Sequence, residues 1–171
     1  MARCGLCTVG NGLTMNRDWW QVPKERFAVQ HDVRVRYNEI DGQGIVFNGN
    51  YLIYADIGVT EFFRALGGGQ PGAFFAQYGS DFVVVNADVD YHASLILDDI
   101  VTVAARVARF SRSSFVIHIA LFRGSQRMTD MAMTYAHVEM DRSRAIPIPG
   151  SFIADVRSFQ PDPPEQTAPN S

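Results

Sequence analysis

The stretch from Asn50 to Leu66, NYLIYADIGVTEFFRAL, decides the fold. Its apolar side chains recur three and four positions apart, which is the spacing of a helix; they are Tyr51, Leu52, Ala55, Val59, Phe62, Phe63 and Leu66. Because so few polar residues interrupt this pattern, we expect the helix to be largely buried. Asn48 or Asn50 should cap its start, and Gly67 to Gly69 should end it, since glycine adopts the left-handed conformation at little cost.

Alternating apolar and polar residues predict five strands around this helix. One strand precedes the helix, at 27–37, and four follow it, at 82–97, 100–110, 115–122 and 131–140. Turns are expected at Asp98-Asp99 and at Gly124-Ser125, and a short helix at 151–159. The later strands should form antiparallel hairpins, and the sheet must wrap the helix to bury it. The predicted fold class is therefore α+β, with a curved antiparallel sheet of about five strands around one long central helix.

The domain organisation is simple. Residues 1–23 are expected to form an irregular leader, which is flexible or has a part packed on the surface. Residues 24–159 should form a single domain, and residues 160–171 a proline-rich disordered tail. The leader contains Cys4 and Cys7, a spacing that suits a metal or a redox pair. No second pair of ligands lies nearby in sequence, so we expect two reduced cysteines without a functional role.

Bulk properties exclude several classes of function. The formal net charge is -3, and acidic and basic residues are mixed along the chain, which gives no reason to expect a nucleic acid or an anionic membrane as partner. No segment approaches the roughly 20 apolar residues that span a bilayer. We therefore expect a soluble, cytoplasmic protein.

Three common site motifs are absent or out of context. The sequence has no G-x-S-x-G serine-hydrolase motif, and its four histidines do not recur at a metal-ligand spacing, so no metal site is expected. Residues Gly67 to Gly72 formally match G-x-G-x-x-G, but the match follows a helix rather than a strand and contains Pro71. Dinucleotide binding is therefore rejected.

A carboxylate precedes the long helix in the turn-forming stretch from Asp41 to Asn50, DGQGIVFNGN. A helix start offers unpaired backbone N–H groups and the positive end of the helix dipole, which together stabilise a developing oxyanion. A carboxylate beside such a site is a minimal set of groups for acyl transfer, because it can attack a carbonyl or activate water. Asp is also a common turn residue. From these residues alone, both interpretations of Asp41 stay open.

The longer stretch from Val35 to Leu52, VRYNEIDGQGIVFNGNYL, resembles the opening of the 4-hydroxybenzoyl-CoA thioesterase-like family of hotdog-fold proteins. In that family a strand leads into D-x-x-G-hydrophobic-V and then into N/S-Y at the start of the central helix. The similarity extends to Asp56 within the helix, and to RFSRSSF at 109–115, which resembles the R-x-x-R-S-S-F entry to the fourth strand. The resemblance covers roughly residues 25 to 145, in the same order as the predicted elements.

The resemblance implies an enzyme that hydrolyses a coenzyme A thioester. Asp41 takes the place of the catalytic carboxylate, as nucleophile or general base. Asn48 falls where the family uses a backbone N–H at the helix start to polarise the thioester carbonyl. Gly44 and Asp56 are supporting residues, and for Asp56 structural support is favoured over a role in orienting active-site groups.

The resemblance also points to a binding site for the phosphates of coenzyme A. Its candidates are Arg109, Arg112, Ser113 and Ser114, because guanidinium groups suit phosphate in geometry and charge. The other interpretation is a pair of ordinary surface arginines at a strand turn. The thioester is the substrate, so no cofactor is expected.

The sequence does not specify the acyl group of the substrate, and the oligomeric state follows only from the resemblance. Aryl and fatty acyl groups both stay open, and six aromatic residues are candidates either for an acyl pocket or for the core: Phe62, Phe63, Phe74, Phe75, Tyr78 and Phe82. The resemblance implies a homodimer whose sheets join edge to edge, paired into a dimer of dimers. The alternative function is a non-catalytic hotdog module that binds acyl-CoA. A third is a hydratase, which would need a histidine paired with a carboxylate in the site.

Overall fold

The computed structural model describes residues 18–68 and 80–166, and in this part of the chain six strands form one open, curved sheet. The strands are β1 Val29–Arg34, β2 Ser80–Tyr91, β3 Ile100–Phe110, β4 Ser114–Arg123, β5 Gln126–Glu139 and β6 Glu165–Gln166. Their order in the sheet is β1-β3-β4-β5-β2, with β6 beside β3. The helices are α1 Asn50–Leu66 and α2 Gly150–Phe159, and 3-10 turns cover Asp18–Gln21, Lys24–Arg26 and Tyr37–Glu39. Neighbouring strands are antiparallel, apart from the short parallel pair of β3 and β6. The predicted α+β arrangement is confirmed.

Helix α1 packs one face against the inner side of the sheet. Tyr54, Phe62 and Phe63 are fully buried there, whereas Leu52 and Ile53 on the opposite face stay exposed. The helix lies close to the sheet at Gly58, where a Cβ atom would lie 2.8 Å from Val103 Cγ1 and 3.1 Å from Ile119 Cδ1. Glycine fits here without strain, whereas a larger residue would force its neighbours to shift.

The predicted bounds of α1 are confirmed, but the predicted asparagine cap is wrong. Gly49 occupies the N-cap position, and no side chain caps the helix there. The side chain of Asn50 instead donates from Nδ2 to the Glu39 carbonyl oxygen at 2.9 Å. At the other end, Gly68 takes the left-handed conformation, with φ of 68°.

Helix α2 covers the far end of the same inner face. Phe152 is fully buried, and its ring lies 5.2 to 6.4 Å from four other rings: Phe63, Phe82, Phe110 and Phe115. Edge-on and tilted ring pairs of this kind add to the burial of aromatic surface. Phe152 therefore links α2 to both the sheet and α1.

The outer face of the sheet is covered by the chain's own N-terminal segment. Trp20 and Phe27 are buried there, each among small and apolar residues of β3, β4 and β5: Ala104, Ala108, Val116, Ala120, Phe122 and Ala132. Lys24 Nζ donates to Thr102 Oγ1 at 3.0 Å and to the Gly124 carbonyl at 3.2 Å. Residues 18–23 belong to the predicted irregular leader, and burial of the large Trp20 ring holds this part of it against the sheet.

The C-terminal segment is anchored beside them. The Gln160 side chain accepts from Val107 N–H at 3.0 Å and donates to the Val107 carbonyl at 2.9 Å. Arg26 pairs with Asp162, and β6 then runs beside β3. Residues 160–166 belong to the segment that the sequence predicted as disordered. In the structure the Gln160 side chain instead serves as the hydrogen-bond partner of both the N–H and the carbonyl of Val107 in β3.

Three strands, β1, β2 and β5, differ from their predicted bounds by three residues or more at one end. β1 is shorter at both ends, because Phe27 turns to the outer face and Tyr37–Glu39 forms a 3-10 turn. β5 begins five residues before the predicted start at 131, directly after the predicted turn at Gly124-Ser125. β2 ends at Tyr91 rather than at 97, because the N–H groups of His92 and Ala93 both turn to the Met128 carbonyl.

Some predictions lie outside the described residues: those for Cys4 and Cys7, for the glycine-rich stretch beyond Gly68, and for Phe74, Phe75 and Tyr78. Within residues 18–68 and 80–166, no helix is both long and apolar enough to cross a membrane.

Candidate active site

Asp41 lies in a tight turn closed by its own backbone. Asp41 N–H donates to the Ile45 carbonyl at 2.9 Å, Gly44 N–H donates to the Asp41 carbonyl at 3.0 Å, and Ile40 pairs with Val46. Gly44 has φ of 77°, a conformation that favours glycine. The supporting role predicted for Gly44 thus has a plain physical basis, since the turn requires the left-handed conformation there.

The Asp41 carboxylate is held on one side only. Its Oδ1 accepts from Gln43 N–H at 2.7 Å, and within the described residues no donor contacts Oδ2. This arrangement fixes the plane of the carboxyl group and leaves one oxygen for a substrate or a water molecule.

The start of helix α1 presents two unused backbone donors. Asn50 N–H donates to the Phe47 carbonyl at 2.9 Å, and Tyr51 N–H to the Asn48 carbonyl at 3.3 Å. The N–H groups of Asn48 and Gly49 donate to no acceptor in the described part of the chain. They lie at the positive end of the helix dipole, so they are suited to binding a negative oxygen.

The Asp41 carboxylate and Asn48 line one cleft of about 530 Å³, and Gly49 follows Asn48 directly in the chain. The cleft is lined by the Asp41 turn, the residues leading into α1 and the segment that follows β2: Asp41, Gly42, Gln43, Ile45, Val46, Phe47, Asn48, Tyr51, Tyr91, Ala93 and Ser94. Tyr91 also donates from its hydroxyl to the Asn48 carbonyl at 3.2 Å, and its ring meets Tyr51 edge-on at 4.9 Å. The cleft therefore combines a carboxylate and a residue with a free N–H group, Asn48, with an aromatic wall.

Three of the six aromatic candidates for an acyl pocket are core residues. Phe62, Phe63 and Phe82 are at most 8% exposed and pack in the main core. The aromatic lining of the cleft comes instead from Phe47, Tyr51 and Tyr91. Sequence reasoning missed these, because Tyr51 fits a core helix pattern and Tyr91 an ordinary strand.

Asp56 is exposed on the outer side of α1. It lies close enough to Tyr135 to add, after burial, to the rise in the pKa of that phenol to about 12. Asp56 does not line the cleft of the single chain.

The four candidates for phosphate binding lie together at the β3–β4 turn, outside the lining of the cleft. Ser111 N–H donates to the Ser114 carbonyl at 2.8 Å, and the carbonyls of Arg112 and Ser113 accept from Ile148 and His137 N–H. Arg112 is exposed and Arg109 is half-buried. Within one chain, therefore, these residues form a fixed turn of their own, apart from Asp41.

The sequence analysis did not predict two histidine clusters, in which His118 and His137 are buried and His92 is exposed. His118 Nε2 and His92 Nε2 lie 2.7 and 2.8 Å from the two Asp130 carboxylate oxygens, on the outer face of the sheet. His137 Nε2 lies 2.6 Å from Ser80 Oγ, with its Nδ1 2.8 Å from the Pro147 carbonyl oxygen. Neither cluster lines the cleft, so neither supplies the histidine–carboxylate pair that a hydratase would need there. Among the described residues no group of three or more metal-ligating side chains is placed to hold a metal ion.

The sequence offers little indication of these two clusters, because their members come together only when the strands pair. His118 and Asp130 are 12 positions apart, and His137 and Ser80 are 57 positions apart.

Comparison with known proteins identifies similar chains. The sequence model of the thioesterase superfamily matches residues 43–129, about half of the chain. A putative esterase of Aquifex aeolicus is 32% identical over 90 residues, which are 53% of this chain and 69% of that protein. The acyl-CoA thioesterase YbgC of Haemophilus influenzae is 26% identical over 117 residues, 68% of this chain and 85% of that protein.

Solved structures share the fold. A thioesterase from Thermus thermophilus, complexed with coenzyme A and Zn, superposes with a TM-score of 0.69 and 24% identity, over 81% of this chain and 98% of that one. A gentisyl-coenzyme A thioesterase, BH1999, superposes with a TM-score of 0.64 and 22% identity, over 72% and 98% of the two chains. The hotdog fold expected from the sequence resemblance is confirmed.

Proposed function

Because this chain belongs to the thioesterase superfamily, we propose that it hydrolyses a coenzyme A thioester to a free acid and coenzyme A at the cleft beside Asp41. One observation is the main support for this proposal. The Asp41 carboxylate, with one free oxygen, and Asn48, whose N–H is unused at the helix start, line the same cleft, and the unused N–H of Gly49 is next in the chain. These are the nucleophile or base, and the oxyanion donors, that acyl transfer requires.

In this proposal the thioester carbonyl oxygen accepts from the N–H of Asn48, with the N–H of Gly49 beside it. Asp41 Oδ2 either attacks the carbonyl carbon, forming a mixed anhydride that water then cleaves, or takes a proton from an attacking water. In both routes the C–S bond breaks, water supplies the hydroxyl of the acid, and the proton reaches the sulfur of coenzyme A. The helix dipole and the N–H groups favour the negative oxygen that forms in between.

Asn at position 48 is compatible with this role because the donor is the backbone N–H. The Asn48 carbonyl accepts from the Tyr91 hydroxyl and from Tyr51 N–H, which orients the following peptide groups at the helix start. A side-chain contribution from position 48 is not part of the proposal.

We further propose that the complete site combines two subunits of a homodimer. Within the described residues β2 pairs with β5 on one side only, and Val84 and Val85 on it are 51% and 58% exposed. An open edge with exposed apolar side chains is suited to pairing with a second copy. Arg109, Arg112, Ser113 and Ser114 would then approach the cleft from the partner subunit and bind the phosphates of coenzyme A. A dimer of dimers would extend the same assembly.

The catalytic assignment is tested by the release of free thiol from aryl, short-chain and long-chain acyl-CoA substrates. We expect Asp41→Asn to lower turnover on the order of 100-fold or more, because it removes the base or nucleophile. Asp141→Asn is a matched control, since exposed Asp141 accepts from Ser143 N–H at 2.9 Å in a turn like that of Asp41. Unchanged turnover in Asp41→Asn would remove Asp41 from the mechanism.

The non-catalytic alternative predicts a different result from the same panel. A module that only binds acyl-CoA would show saturable binding of these thioesters, measured by calorimetry, without thiol release from any of them.

The shared site is tested by mixing Asp41→Asn and Arg112→Ala subunits and assaying at low substrate concentration. If Asp41 and Arg112 of one site come from different chains, one site of each mixed dimer carries neither substitution, and activity returns on mixing. If both residues come from one chain, every site stays impaired and no activity returns.

A further inference from the structure

Glu39 is a buried carboxylate two residues before Asp41. Its side chain is 3% exposed, and both of its oxygens are bound by donors. Oε2 accepts from the Tyr54 hydroxyl at 2.6 Å and from Arg36 N–H at 2.7 Å, and Oε1 accepts from Arg36 Nε and Nη2 at 2.9 and 2.6 Å. The Glu39 side chain thus joins the end of β1 to the second turn of helix α1.

The main chain of Glu39 makes a second pair of contacts. Its carbonyl oxygen accepts from Phe47 N–H and from Asn50 Nδ2, each at 2.9 Å. Phe47 and Asn50 directly flank Asn48 and Gly49, whose N–H groups are the proposed oxyanion donors. One residue therefore holds both sides of the donor turn.

The ionised form of Glu39 fits these contacts. Burial alone would raise the pKa of Glu39, but the hydrogen bonds from Arg36 and Tyr54 and the Arg36 charge outweigh burial, so the pKa is lowered. Burial and the neighbouring Glu39 carboxylate raise the pKa of Tyr54, which therefore keeps its proton and donates a hydrogen bond to Glu39. The contacts are charge-assisted hydrogen bonds, which are stronger than neutral ones.

We propose that Glu39 is a positioning residue, which fixes the spacing between the Asp41 carboxylate and the N–H groups of Asn48 and Gly49. Glu39 does not line the cleft, so it acts on the reaction through Asp41 and the donor turn. The inference rests on the thioester hydrolysis proposed above. It adds a requirement that the two halves of the site be held by one residue, because small errors in the placement of reacting groups strongly lower rates.

The test is a double-mutant cycle between Glu39→Gln and Asp41→Asn, with kcat and KM measured for the best acyl-CoA of the panel. Glu39→Gln keeps the shape of the side chain and removes its charge. We expect it to lower kcat roughly 10- to 100-fold, with KM changed less than about twofold, because coenzyme A is bound elsewhere. In the Asp41→Asn background, assayed with excess enzyme, the same substitution should cost less than about threefold, since misplacing a group already removed has little further effect.

Two further variants keep the test decisive. Tyr54→Phe removes one hydrogen bond to Glu39 and keeps the buried ring. If Glu39→Gln does not fold, Tyr54→Phe replaces it in the double-mutant cycle with Asp41→Asn. Glu139→Gln is the control: it removes a carboxylate that is also paired with an arginine, accepting from Arg144 Nε at 2.8 Å, but is 34% exposed and outside the lining of the cleft. It should leave kcat unchanged.

The outcomes separate the two proposals. If Glu39→Gln costs the same factor in both backgrounds, raises KM alone, or leaves kcat unchanged, Glu39 is not a positioning residue. If Asp41→Asn alone leaves turnover unchanged, the proposed catalytic role of Asp41 fails, and the positioning role fails with it.

Discussion

Replacing His118 with glutamine should flatten the dependence of stability on pH. His118 is fully buried on the outer face of the sheet, 4.9 Å from the Phe27 ring and beside Asp130. Burial lowers the pKa of His118 from 6.5 to about 4; the hydrogen bond and the charge of Asp130 oppose the shift, and Arg106 and Arg127 add to it. The folded protein therefore holds this ring in its neutral form.

The magnitude follows from this pKa. Between about pH 6.5 and pH 4, the unfolded chain binds a proton at His118 that the folded chain does not, so stability falls as the pH falls through this window. From about pH 7.5 to pH 5 the loss from this one group is about 2 kcal/mol. Asp130 adds to the acid sensitivity at lower pH, because its pKa is lowered: burial raises it, but the contacts with His118, His92 and Arg127 outweigh burial.

The assay is urea unfolding of wild type and His118→Gln at a series of pH values and one protein concentration, since subunit association would also contribute. Glutamine keeps a donor for Asp130 and does not titrate. The stability advantage of wild type should shrink by about 2 kcal/mol between pH 7.5 and pH 5. The same series for His31→Gln, at an exposed position, is the control for the loss of a surface histidine. Parallel curves for wild type and His118→Gln would refute the assignment of a neutral buried ring.

Three further predictions concern packing and binding. Gly58→Ala places a Cβ atom 2.8 Å from Val103 Cγ1 and should cost about 1–3 kcal/mol in urea unfolding, whereas Gly150→Ala, in open space, should stay within about 0.5 kcal/mol of wild type. Phe152→Ala should cost about 3–5 kcal/mol, because it empties a fully buried site; a loss below about 1 kcal/mol would mean that α2 is not an essential layer. Arg112→Ala should raise KM roughly tenfold for a coenzyme A thioester but not for the matching pantetheine thioester, which lacks the phosphates. An equal effect on both substrates would exclude phosphate binding.

The fold was predictable where hydrophobic periodicity matches a complete element. Helix α1 begins and ends at the predicted residues, because its apolar pattern covers every turn. The predicted end of β2, at residue 97, was too late, because the apolar residues that follow Tyr91 belong to a loop rather than to the strand. Leu95 is fully buried in the core as part of a loop, where its N–H donates to the Tyr51 hydroxyl oxygen and its carbonyl accepts from Val46 N–H. Periodicity does not distinguish a buried loop residue from a strand residue.

The site was predictable to the extent that it is local in sequence. Asp41 and Asn48 are seven positions apart and line the same cleft, in keeping with the turn chemistry between them. Glu39 could not be predicted, because a charged residue beside a turn normally faces water. Its burial depends on Tyr54, which is 15 positions further along the chain and comes near only when the helix packs.

The outer face brings the two ends of the described chain together. Arg26 and Asp162 form an ion pair although 136 positions separate them. A short linker would therefore join the segments on either side of this pair, and the chain could be reopened at the Gly124-Ser125 hairpin to give a circular permutant. By the same geometry, the domain could be inserted into a surface loop of a host protein with both connections close together.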